Sequence, residues 1–336
     1  MKSVVIAEPG KLVLETRTLP EPAAGEVRVK VKFASICGSD VHIWHGHNPF
    51  ARYPRVIGHE FFGVIDAVGA GVEAARIGER VAVDPVVSCG HCYPCSVGRP
   101  NVCSELQVIG VHRDGGFSEY AVAPARNAYR VPEAIPDKLA SLIEPFTIAA
   151  NICAFLQPQP NDVALIFGAG PMGLTAIQAL KGVYKVKKAI VADRLPERLA
   201  MAKESGADVI LDNSEIPLAA QLEGEKPTLI IDAACHPAIL AEAVALASPA
   251  ARIGLLGFSG EPCTVTQQSL TSKELSLFTS RLNSQRFPQV IEWMEKGLIA
   301  PEKLVTHYLP LKDVEAAMTL FEKDPRSCCK VILEVS

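Results

Sequence analysis

Four cysteines crowd the stretch SCGHCYPCSVGRPNVC: Cys89, Cys92, Cys95 and Cys103. Thiolates bind zinc at about 2.3 Å in a closed tetrahedron, and the short spacing C-x2-C-x2-C-x7-C lets one loop supply every corner. Gly90, Pro94, Gly98 and Pro100 favour the reversals such a loop needs. Four thiolates leave no coordination position open, so this site is expected to brace structure and not to react. Disulfides are the alternative for a chain with ten cysteines. The opening MKSVVIAEPG lacks the basic-then-apolar layout of an export signal, so a reducing cytoplasm is the expectation. Cys153, Cys235, Cys263, Cys328 and Cys329 show no ligand-like grouping and read as small buried hydrophobes. His91 reads as an exposed spacer. His42, His45 and His47 look like a metal tract, although all three are not expected to serve as ligands together.

A second pattern is Gly168-Ala-Gly170-Pro171-Met172-Gly173, which follows the strand-like VALIF and opens a helical pattern. The first glycine permits a tight turn, the second lets backbone approach a pyrophosphate, and the third packs the helix closely on its strand. A bare structural turn is the alternative. Asp193, 20 residues beyond Gly173, ends the next strand-like run, where an acid can reach adenosine ribose hydroxyls. That carboxylate would repel the 2′-phosphate of NADP, so NAD is the expected cofactor. Arg194 and Arg198 lie close enough to soften the preference, unless both are solvated on a helix face.

A reactive zinc needs three protein ligands and one open position. Outside the quartet the candidates are Cys37 in ASICGSDVHIW, His59 in GHEFFG and Glu144 in SLIEPF. Each has a plain alternative (a buried thiol, a satisfied histidine, a helix-starting acid), and spacing alone cannot bring them together. The motifs ICGSDVHIW, GHEFFGVIDAVG, the cysteine quartet, GGFSEY, SLIEPF and GAGPMG occur in the order found in zinc-containing medium-chain dehydrogenases. The chain resembles that family over essentially its whole length, most closely its sorbitol and threonine dehydrogenase branch. The resemblance implies two zinc ions per chain, with Cys37, His59 and Glu144 on the catalytic one. It assigns Glu60 to an acid able to approach that ion, Ser39 to a hydroxyl that relays the substrate proton, and His42 to the next relay group. Asp40 corresponds to an acid beside the liganding histidine, whose ring it would orient. The implied reaction passes a hydride from a zinc-polarised alcohol to the nicotinamide.

Two departures bear on substrate. Ile43 and Leu282 replace tyrosines of sorbitol-type enzymes, whereas Arg281 retains the arginine. Loss of two hydroxyls disfavours sorbitol. Arg281 is expected to hold a substrate carboxylate, as in a sugar acid; a surface arginine facing cofactor phosphate or an acidic neighbour is the alternative. Two other classes compete. One is an NAD-binding metabolic sensor with a vestigial site, against which Cys37, Ser39, His59 and Glu144 are all present. The other is a zinc-independent reductase, against which stand the quartet and the His59-Glu60 pair.

The elements that must position these groups change character along the chain. VRVKVKF alternates as a half-buried strand should, and short runs such as RVAVDP and SEYAVAP continue a β-rich region to about residue 130. From Val163, VALIFG, AIVAD, DVILD, TLIIDAA and ARIGLLGF read as strands buried on both faces. They alternate with helical stretches, which implies a parallel sheet wrapped by helices. SLIEPFTIAANICAFL reads as a helix joining the two regions, and two amphipathic helices (288–297 and 312–323) precede a last strand, CCKVILEV. The fold class is therefore α/β. The resemblance specifies a discontinuous GroES-like catalytic domain (1–149 and 287–336) around a doubly wound Rossmann domain (150–286). The 336 residues suffice for two cores. A net charge of −4 gives no reason to expect nucleic acid or anionic membrane as partner. No apolar run reaches membrane-spanning length. The resemblance implies a homo-oligomer, dimer or tetramer, acting on a small molecule.

Overall fold

Alternation drives the first strands: Val27, Val29 and Val31 are fully buried, while Arg28 is half-buried and Lys30 exposed. The computed structural model describes residues 1–336. In it, β1 (Lys2–Glu8) and β2 (Lys11–Thr16) form an antiparallel hairpin. β3 (Glu26–Ser35) then leads into α1 (Gly38–Trp44), and β4 (Arg55–Val56) pairs with β1. β5 (Glu60–Val68) lies antiparallel to β3, and β6 (Arg80–Val83) to β5. β7 (Val86–Val87) precedes the cysteine loop, which carries α2 (Tyr93–Ser96), and β8 (Gln107–Val108) closes that loop by pairing with β7. β9 (Tyr120–Pro124) adds to β3 and β10 (Ala128–Arg130) to β6, before the short α3 (Asp137–Ala140).

From α4 (Ile143–Leu156) onward strands and helices alternate. The strands are β11 (Val163–Phe167), β12 (Lys188–Asp193), β13 (Val209–Asp212), β14 (Leu229–Asp232), β15 (Arg252–Leu255) and β16 (Ser276–Thr279). They form one sheet in the order β13-β12-β11-β14-β15-β16, every neighbouring pair parallel. The intervening helices are α5 (Pro171–Gln178), α6 (Pro196–Glu204), α7 (Leu218–Gln221), α8 (Pro237–Leu246) and α9 (Gln267–Thr271). Order reverses at β11, the arrangement of a doubly wound Rossmann sheet, which binds ligands beyond the carboxyl ends of the strands at that reversal. β11 and β14 are buried throughout, as expected of strands covered on both faces. β13 is not: Ile210 is exposed, because the strand lies at the sheet edge. The opposite edge strand, β16, was not legible in the sequence, since SLFT is short and mostly exposed.

α10 (Phe287–Glu295), β17 (Val305–Pro310), α11 (Val314–Lys323) and β18 (Lys330–Glu334) complete the chain, with β18 inserted between β3 and β17. Contacts group the residues into two units. One comprises Met1–Glu144, Ser284–Glu295 and Val305–Ser336; the other comprises Pro145–Asn283 and Lys296–Leu304. The sequence reading changed domain at residues 149 and 287 and kept 296–304 with the first domain. Gln178 on α5 ties that segment to the second unit, donating to Ala300 O at 3.0 Å and accepting its amide at 2.7 Å. All ten cysteines are free; Cys153, Cys328 and Cys329 are buried as expected, but Cys235 and Cys263 are exposed. Both of these lie in connections that follow strands β14 and β15, outside the packed sheet.

Candidate active site and metal centres

The register of β3 against β5 sets Ser35 opposite Glu60. Cys37 lies just past the end of β3 and His59 just before β5, so pairing of the two strands brings both to one place. A Cys37 sulfur, a His59 ring nitrogen and a Glu60 oxygen all lie within 4.8 Å of one another. Asp40, completely buried, ties the two chain segments together. Its Oδ2 accepts the Cys37 amide at 2.9 Å and its Oδ1 the Gly58 amide at 3.3 Å. An acid at the third helical position reaches back to the residue before the helix in this way. His59 Nδ1, buried and without a hydrogen bond, stands 3.5 Å from the same Oδ1. With Nδ1 turned to the carboxylate, Nε2 is the ring nitrogen left to face a cation. Burial opposes a charge on His59, but Asp40 and Cys37 outweigh it and hold its pKa well above the ordinary value.

Glu60 has its own support. Lys330, at the start of β18, donates to Glu60 at 2.7 Å and to Ile36 O at 2.9 Å, and the Ser35 hydroxyl also donates to Glu60. Both Glu60 and Lys330 are only 1% exposed, so each charge survives burial through the other. Burial alone would lower the Lys330 pKa; Glu60 above all outweighs it and the value is raised. Glu144 is also buried, in the first turn of α4, but lies outside the 4.8 Å group. Burial pushes its carboxyl up to about 8, with Glu60 and Asp84 pushing the same way against His59 and Lys330. Buried acids thus outnumber buried cations here, around a thiol, an imidazole and carboxylates of the kind that bind zinc. The residues fit a divalent ion.

The quartet forms a second centre. Cys92 Sγ lies 3.5 Å from Cys95 and 3.6 Å from Cys103, and Cys103 Sγ 3.4 Å from Cys89. All four sulfurs fall within 4.8 Å of one another. Zinc–sulfur bonds of about 2.3 Å would place tetrahedral sulfurs about 3.8 Å apart, so little movement separates this arrangement from a closed zinc site. Amides of Ser104 and Cys95 favour the Cys92 thiolate, bringing its pKa down to about 6, while burial pushes Cys103 up to about 11. His91 is exposed, with Nδ1 3.8 Å from Cys89 Sγ.

In the second unit, Gly168 follows β11 with φ +91°, and a Cβ on Gly173 would come 1.9 Å from the Gly168 carbonyl oxygen. Both glycines are therefore obligatory for the turn. A Cβ on Gly170 would meet nothing within 4 Å, leaving open space before the amino end of α5, where Pro171 and Met172 begin the helix. Asp193, at the end of β12, accepts the Ala169 amide at 2.7 Å and the Leu195 amide at 2.9 Å. One acid thereby joins the glycine turn to the start of α6. The cradle fits the pyrophosphate and ribose of a dinucleotide.

Residues 23–133 match the alcohol dehydrogenase GroES-like domain, and residues 171–296 match the zinc-binding dehydrogenase domain. The starvation-sensing protein RspB of Escherichia coli strain K12 is 65% identical over 338 residues, covering 100% of each chain. This chain is a zinc-containing medium-chain dehydrogenase. L-galactonate-5-dehydrogenase of the same strain is 34% identical over 316 residues, 92% of each chain. The crystal structure of the short chain alcohol dehydrogenase RspB from E. coli CFT073, complexed with the cofactor NADH, superposes with a TM-score of 0.98 at 65% identity. It covers 100% of this chain and 99% of that one.

In this medium-chain dehydrogenase, Ser39 is half-buried and His42 exposed, both on α1. Arg198 is buried on α6, whereas Arg194 is exposed. The two do not share the solvated face that the sequence allowed. Arg281 lies in the second unit with its guanidinium 5.8 Å above the Phe258 ring. Ile43 is fully buried. Sequence reasoning missed Lys330 and Ser35, the two partners of Glu60. A signal existed for the lysine: in CCKVILEV it is the one cation inside an apolar strand, where burial demands an acid.

Proposed function

We propose that this chain is a zinc-dependent oxidoreductase that moves a hydride between a secondary alcohol of a polyol or sugar acid and NAD. The observation that carries the reading is the meeting of Cys37 and His59 on one buried acid, Asp40, beside two more buried acids, Glu60 and Glu144. Cys37, His59 and Glu144 would hold the catalytic ion. Glu60 is already compensated by Lys330, whereas Glu144, with its pKa near 8, gains most from a cation. Zinc bound there supplies Lewis-acid polarisation of a substrate hydroxyl.

The chain's own residues then handle the proton. Ser39 accepts it from the substrate hydroxyl and passes its own to His42. Residues three apart on a helix share a face, and exposed His42 delivers the proton to water. Amides at the start of α5 bind the pyrophosphate, and Asp193 accepts the ribose hydroxyls. The NADH complex of RspB supports NAD as the cofactor, and the L-galactonate-5-dehydrogenase relative supports a sugar-acid or polyol substrate, with Arg281 as carboxylate partner. No helix is long and apolar enough to cross a membrane. The reading extends to a cytoplasmic homo-oligomer, dimer or tetramer.

The name of RspB favours a second reading, an NAD-binding sensor with a vestigial site. One experiment separates the two: zinc quantification beside an NAD-reduction screen of polyols, hexonates and amino alcohols. About two zincs per chain and turnover of a polyol or hexonate are expected. Zinc-replete, NAD-binding protein that turns over nothing in the panel would shift the assignment to a sensor.

A further inference from the structure

α1 ends in a turn that gathers three imidazoles. Gly46 is the left-handed residue, at φ +77°. Its amide donates to Ile43 O at 3.1 Å, and the His47 amide donates to His42 O at 2.8 Å. This paired return is the Schellman motif, which sets the second residue beyond the cap against the third from the helix end. Apolar side chains frequently meet at those two positions. Here they are His47 and His42, with ring centroids 6.3 Å apart. The cap residue between them is His45, whose ring lies 6.0 Å from that of His47. A Cβ on residue 46 would come 2.8 Å from Pro9, so the turn depends on its glycine.

An acid from another helix completes the group. His45 Nε2 lies 3.1 and 3.2 Å from the two carboxylate oxygens of Glu322 on α11. A carboxylate on one ring nitrogen fixes the tautomer and leaves the other lone pair, here on Nδ1, for a metal; liganding histidines are usually held this way. The His45 ring also stacks on Trp44 at 5.0 Å, which restricts its orientation. His42 and His47 are exposed, and the His45 side chain is 34% exposed, so the rings reach solvent. Metal–nitrogen bonds of about 2 Å would bring the centres of two bound imidazoles to about 5 Å. Exposed side chains cover the remaining distance by ordinary rotamer motion.

We propose that His42, His45 and His47, with Glu322 orienting His45, form a surface site for a divalent transition cation of the zinc, nickel or copper class. Three neutral imidazoles suit those ions and not magnesium or calcium, which prefer oxygen. Sequence alone did not favour all three histidines as joint ligands; the glycine turn brings the His47 ring within 6.3 Å of the other two, and closing on an ion would have to bring all three nitrogens nearer. Occupancy would take His42 away from the proton path, a consequence that rests on the function proposed above, whereas the site itself does not.

The test uses zinc-replete enzyme dialysed against nickel, with both metals counted by mass spectrometry. Wild type should take up one nickel per chain with its zinc unchanged. His47→Ala should take up none, and Glu322→Gln should bind about tenfold more weakly. Equal nickel uptake by wild type and His47→Ala, or none by wild type, overturns the site. Alcohol oxidation by wild type should fall over the same nickel range while His47→Ala keeps its activity. Nickel uptake that leaves turnover intact would uphold the site and remove His42 from the proton path.

Discussion

Asp40 is central to the candidate catalytic cluster, because its one carboxylate touches both the Cys37 and the His59 segments. Asp40→Asn keeps the size and removes the charge that orients the imidazole. We expect the affinity for the catalytic zinc to drop about 10–100-fold, read as zinc retained against a competing chelator. Undiminished retention would deny Asp40 its orienting role. Glu60 and Glu144 can be separated in the same assay. Glu144→Gln should release one zinc, while Glu60→Gln should largely retain it, since Lys330 and Ser35 already compensate Glu60. Lys330→Met should destabilise the metal-free protein by about 3–5 kcal/mol, measured by denaturant unfolding, because it strands a buried carboxylate.

At the scale of elements, strand register and tight turns decide which residues meet. Gly173→Ala would drive a methyl against the Gly168 carbonyl, so β11 and α5 would have to separate. NAD binding by calorimetry should weaken strongly while both zincs are retained; an unchanged dissociation constant would show that the turn is not the cofactor cradle. In the first unit, Asp137 at the start of α3 bridges Lys32 on β3 (2.8 Å) and Arg80 on β6 (2.7 Å). Burial opposes its charge, but those two cations outweigh it and lower its pKa. A lowered native pKa adds stability that is complete above the unfolded value and disappears as pH falls through the native one. Asp137→Asn should therefore cost about 1 kcal/mol at neutral pH. That difference should close as pH drops below about 4. A mutant–wild-type gap that is flat with pH would exclude the charge as its source.

For the whole molecule, the two candidate metal centres differ in what supports them. The quartet lies in a loop whose strand support is the two-residue pair β7–β8, so we expect its fold to depend on cross-linking by metal. The candidate catalytic cluster, by contrast, rests on β3 and on β5 and β18, which pair with its two edges. Exhaustive chelation should abolish turnover and expose the 89–103 loop to protease, with the seven-stranded sheet still protected in hydrogen exchange. Loss of protection across that sheet would contradict this division.

Local patterns alone yielded the quartet, the glycine turn with Asp193, and the alternation of strand and helix. In each case the relevant residues lie within one loop or one repeating unit, and physical chemistry at short range is enough. Cys37 and His59, though named in the sequence, were separate until β3 paired with β5. Lys330 stands 270 residues from Glu60, and no periodicity links them. The grouping of Glu60 with Cys37 and His59, the burial of Arg198 and the exposure of Cys235 and Cys263 were likewise decided by the tertiary structure. Desolvation and charge pairing depend on what the rest of the chain packs around a group, and a linear spacing carries no record of that.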